Sequence, residues 1–155
     1  MDHEHEHAAS GSYGRLGFEL AVDFVVMYLV MSTMIATLVH FHLNLNNVYM
    51  TLMMVAPMAV LMLVSMRSMF PSRRINLAIC TGAAAIFLMS FAAMRIQAGI
   101  GNAEFLRAMI PHHSGAILMC EQASITDPEI VALCRGIVES QQKEIAQMQA
   151  ILQRM

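Results

Sequence analysis

The chain has 155 residues, of which 57% are hydrophobic and only 13% charged, and its net charge is −2. An average soluble domain carries about 25% charged residues, so the apolar excess points to a lipid-facing surface, and the scattered basic residues exclude the basic field that nucleic acid needs. Three cysteines, Cys80, Cys120 and Cys134, form neither a disulfide framework nor a CxxC zinc pattern.

The chain starts with a His/Glu-rich tail over residues 1–16, where His3, His5 and His7 alternate with Glu4 and Glu6. A solvated acidic tail, a purification tag and a weak metal-collecting arm all share this pattern. Three apolar runs follow, over residues 20–39, 48–66 and 77–94. Each is close to the roughly 20 residues that cross a bilayer as a helix. The first is too long for a signal-peptide core and follows an acidic tail, so it reads as an uncleaved anchor. The expectation is a three-helix transmembrane domain over residues 17–97.

Arginines set the orientation. Arg15 precedes the first run, and Arg67, Arg73 and Arg74 lie between the second and third. Residues 40–47 contain no Lys or Arg, and only Arg95 and Arg107 lie near the end of the third run. The pattern predicts a cytoplasmic N-terminus and arginine loop, with residues 40–47 and everything after Arg95 on the outer face of a bacterial inner membrane.

Within the runs, Glu19 and Asp23 are one turn apart. Glu19 suits the interface, while Asp23 needs a partner. Met27, Met31 and Met34, then Met50, Met54, Met58, Met62 and Met66, recur at helical spacing. Such ridges are packing surface first, although thioethers also bind Cu(I) and could line a conduit. Pro57 should kink the second helix.

Beyond Gly99 and Gly101, Asn102 is an N-cap candidate for a helix over residues 103–123, which Pro111 either kinks or divides. A short link follows. Asp127 or Thr126 can cap the next helix, with Pro128 in its first turn and Glu129 completing a Thr-x-x-Glu box. That helix carries Ile130, Cys134, Ile137, Ile145, Met148 and Leu152 on one stripe and runs to the C-terminus. The two helices form an antiparallel hairpin domain over residues 102–155. Alone they bury too little. A homodimer closing a four-helix bundle is the economical completion, with a higher homo-oligomer as its extension.

The metal-ligand chemistry concentrates in Met109-Ile-Pro-His112-His113-Ser-Gly-Ala-Ile-Leu-Met119. Met109, His112 and His113 project from one third of a helix. Antiparallel pairing brings Gln141, Glu144 and Met148 to their level, and Cys120 opposite Cys134. Gln141 lies on an apolar stripe, so a polar partner such as a histidine is expected there. Met109 and Met119 are about 15 Å apart along a helix and cannot share one ion. Thioether and imidazole donors favour Cu(I), with Ag(I) as its mimic. An inert, hydrogen-bonded histidine pair is the other reading. The candidate metal ligands are Met109, His112 and His113, with Met119 and Met148 secondary. No nucleophile–base pair or paired carboxylates mark an enzyme.

These residues, with Phe105, Ala116, Ile117, Ile137 and Ile145, resemble a helical-hairpin family of unknown function that includes the periplasmic CopM copper-binding proteins. The resemblance implies a ferritin-like helical arrangement, periplasmic exposure and copper bound by Met and His. CopM-type proteins are soluble and carry more than one hairpin, whereas this chain couples one hairpin to apolar helices. His40 and His42 are either interfacial polar residues or the groups that exchange an ion with His112 and His113. The expectation is a membrane-anchored copper-binding or relay protein, working with a metal-handling partner. The alternatives are an oligomeric metal transporter or channel, and an assembly factor that only dimerises.

Overall fold

The computed structural model describes residues 12–155 in full and residues 2–11 as helix backbone only. His3, His5 and His7 therefore lie outside the described side chains. Among the described residues the fold is all-helical: α1 (Asp2–Met31), α2 (Leu45–Ser65), α3 (Arg73–Arg95), α4 (Asn102–Gln122) and α5 (Pro128–Gln153), with short 3-10 turns at Leu38–His40 and Arg67–Met69.

Among the described residues two helices, α2 and α3, are long and apolar enough to cross a membrane. The expected third span is not among them. In α1, Arg15, Glu19 and Asp23 are spread over little more than two turns, and the helix stops at Met31. The apolar residues that follow are unwound into a strap. The Thr33 hydroxyl donates to the Val30 carbonyl at 2.7 Å and competes for the helix's last acceptors. The run over residues 20–39 is thus half helix and half strap.

The chain divides into two compact units, Met1–Leu29 with Val48–Ala98, and Val30–Asn47 with Gly99–Met155. In the first, Leu16, Leu63 and Phe70 form a buried cluster edged by Leu20, Met62 and Ile79. Tyr13 closes it with a 2.7 Å hydrogen bond from its hydroxyl to Asn76 Oδ1. Pro57 sits inside a continuous α2, and the Ser72 hydroxyl caps α3.

In the second unit α4 and α5 pair as a hairpin. Pro111 does not divide α4, which is one helix from Asn102 to Gln122. Asp127 is the cap of α5, accepting from the amides of Glu129 and Ile130, with Pro128 behind it where a missing N–H costs nothing. A Cys120–Cys134 disulfide ties the hairpin near its turn, with Cα atoms 5.3 Å apart. Ile110, Ile117 and Ile145 form the core, packed by Val138, Met148 and Leu152 and covered by Ala36 from the strap. The strap crosses α4 at Gly115, where a Cβ would lie 3.1 Å from the Met34 carbonyl oxygen. The hairpin thus gains part of its missing cover from its own chain.

Candidate functional site

His113 is 8% exposed and held at both ring nitrogens. Nδ1 donates to the Met109 carbonyl at 2.9 Å, one turn back along α4. Nε2 lies 2.8 Å from Glu144 Oε2 on α5. The second Glu144 oxygen accepts the Ser140 hydroxyl at 2.9 Å. Carbonyl and carboxylate are both acceptors, and each ring nitrogen of His113 faces one of them. Histidine's partner on α5 is therefore Glu144, and Gln141 does not take that place.

The His113–Glu144 bond fixes the hairpin register. Met109 lies one turn towards the N-terminus of α4 from His113, and Met148 one turn towards the C-terminus of α5 from Glu144. Antiparallel helices put those two turns at one level. Met109 and Met148, both half-buried, thus form the layer next to the His113–Glu144 pair. His112 is exposed, its ring centroid 6.1 Å from that of His113 with the planes near perpendicular. Met119 is elsewhere: six residues on, about 9 Å along the axis, it is 60% exposed and lines a hollow with Cys120 and Cys134. Among the described residues no three His, Cys, Asp or Glu side chains converge as a metal centre.

Ser114 faces the strap. It is fully buried, and its Oγ accepts the Ala36 amide at 2.7 Å and lies 2.8 Å from His40 Nδ1. Nearby, Glu104 joins the Leu45 amide at 3.3 Å and Arg107 at 2.7 Å. Sequence reasoning missed Ser114 as the anchor of the strap and Glu144 as the partner of His113. The position of Glu144, four residues before Met148, was the available signal for the second; nothing local signalled the first.

Burial lowers the pKa of His40 below 6.5. Burial also lowers that of His42, helped by the charges of Arg107 and His40. Glu144 is held below 4.5 by the Ser140 hydrogen bond first and His113 second. For all three groups the unfolded chain binds more protons than the folded one between the two pKa values, so stability rises with pH there. The second unit is therefore expected to lose stability as pH falls below 6.5, through His40 and His42, and again below 4.5, through Glu144. Hydrogen-exchange protection of α4 and α5 amides across this range checks both steps, with Glu144→Gln expected to flatten the second.

The fold and site define an all-helical protein with two helices of membrane-crossing length and a hairpin built around a His–Glu pair. Residues 90–152, which include that hairpin, match the family described as domain of unknown function (DUF305). The uncharacterized protein L153 of Acanthamoeba polyphaga mimivirus is 38% identical over 112 residues, 71% of this chain and 72% of the relative. The chain belongs to the DUF305 family. No solved structure matches it.

Proposed function

We propose that this protein is a membrane-anchored copper-handling protein, with α2 and α3 as the anchor and the α4–α5 hairpin as the part that takes up Cu(I)-type ions. The observation that carries the reading is the register: the His113–Glu144 bond brings the Met109 and Met148 thioethers to one level, beside an imidazole pair. Thioether and imidazole suit Cu(I). The Nδ1–H bond to the Met109 carbonyl fixes the ring, the usual support of a histidine ligand, and leaves Nε2, which faces Glu144, as the donor atom. A metal ion at Nε2 takes the place of the contact with Glu144 and, as at any histidine ligand, competes with protons, so affinity falls as pH falls. Met109, Met148, His112 and His113 are the donors, and Met119 belongs to a separate layer. The likeness to the CopM proteins supports the same chemistry.

Two features support an outer-face hairpin in a bacterial inner membrane. Disulfides persist in oxidising compartments, and Cys120 is bonded to Cys134. Crossing helices α2 and α3 bring the strap and the hairpin to one side, while Arg67, Arg73 and Arg74 favour the cytoplasm between them. A homo-oligomer that buries the exposed Phe105 and Leu133 is part of the same proposal.

The test is Cu(I) titration of the full chain in detergent against a competing chelator. His112→Ala/His113→Ala is expected to weaken binding at least as much as the roughly 10–100-fold that even outer-shell changes cause. Unchanged affinity in that variant would falsify the reading.

A further inference from the structure

One buried polar atom in the second unit has no partner: Nε2 of His42. Buried nitrogen of this kind is rare in folded proteins, and an ion or water is the ordinary explanation. Its surroundings narrow the choice. His40 lies two residues before His42, and Phe41 between them is extended (φ −71, ψ 117), so the two side chains leave the strap on the same side. Both belong to the strap that packs on α4. His40 is oriented by Ser114, whose Oγ has two lone pairs and can accept the Ala36 amide and His40 Nδ1–H together. In that arrangement the lone pair of His40 Nε2 is free.

We propose that His40 and His42 form a second metal site, distinct from the Met109–His113 layer, that takes a monovalent soft cation of the Cu(I) class between two neutral imidazoles. Charge selects the monovalent ion. Arg107 is the cation that acts on His42, and its repulsion would be twice as large for a divalent ion. Glu104 offsets part of it through its 2.7 Å bond to Arg107. Imidazole donors suit copper. Ser114 is then a positioning residue: a fully buried hydroxyl on α4 that fixes the ring of a ligand carried by the strap. Because Ser114 follows His113 directly, the motif on α4 supports one site with its histidines and the other with its serine. The inference deepens the copper reading and shares its ion, but it rests on different residues.

The experiment loads the full chain in detergent with Ag(I), which does not change oxidation state, and follows the 15N shifts of histidine side chains. The expected result is a metal-induced shift at Nε2 of both His40 and His42. It should persist in His112→Ala/His113→Ala and vanish in His42→Phe, which fills the same space without a donor. Ser114→Ala should weaken this site by about 10–100-fold, the usual size of an outer-shell loss, and leave the hairpin site unchanged. If the His40 and His42 signals do not respond to Ag(I) while those of His112 and His113 do, Nε2 of His42 holds only a water; the second site is then wrong and the copper reading stands. If His40 and His42 respond and His112 and His113 do not, the second site stands and the hairpin site falls. No response at any of the four overturns both.

Discussion

Ile110→Ala is expected to destabilise the second unit by about 2–5 kcal/mol, the range for truncating a buried aliphatic side chain. Ile110 is completely buried, and it meets Ile117 and Ile145 where the two helices and the strap converge. The site has little freedom to collapse around a void. Helix backbone fixes one side, and the Pro111 ring locks φ at the next position. Amide exchange in α4 and α5 measures the loss, and Ile110→Val should cost only about 0.5–1.5 kcal/mol. If Ile110→Ala shifted exchange no more than Ile110→Val, the residue would not be the centre of this core.

Loss of the Cys120–Cys134 bond should cost a similar amount. The cysteines are 14 residues apart, and closing a loop of about that size restricts the unfolded chain by about 3 kcal/mol. Cys120→Ser/Cys134→Ser is expected to lower the guanidinium midpoint of the hairpin. Adding a dithiol reductant to the wild type should reproduce the effect, and adding it to the variant should change nothing further. A reductant effect that survived in the double variant would point to another disulfide, such as one joining the Cys80 thiols of two chains.

Much of the hairpin is legible from sequence because its signals are local. Asp127-Pro128 marks a helix start by hydrogen-bond chemistry alone, and the short link before it dictates antiparallel pairing. That pairing then sets Cys120 against Cys134 and Glu144 level with His113. The end of α1 was not legible in this way. Val, Leu and Met look alike in a membrane helix and in a strap pinned to a protein surface, so apolar run length cannot tell the two apart. What decides the matter is contact with Ser114 and Gly115, more than seventy residues away. Gln141 shows the opposite error. A polar residue on an apolar stripe suggested a partner for histidine, yet a carboxylate one turn on is the stronger hydrogen-bond partner for an imidazole.

The strap also fixes the order in which this protein can be completed. Ala36 and His40 meet Ser114 across 78 and 74 residues of sequence, a long loop to close and therefore a late contact in folding. During synthesis the strap must wait, unpaired, until all of α2, α3 and most of α4 have been made. A chain cut to residues 102–155 would keep the disulfide and the His113–Glu144 bond but leave Ser114 and the Ile110 cluster without their cover.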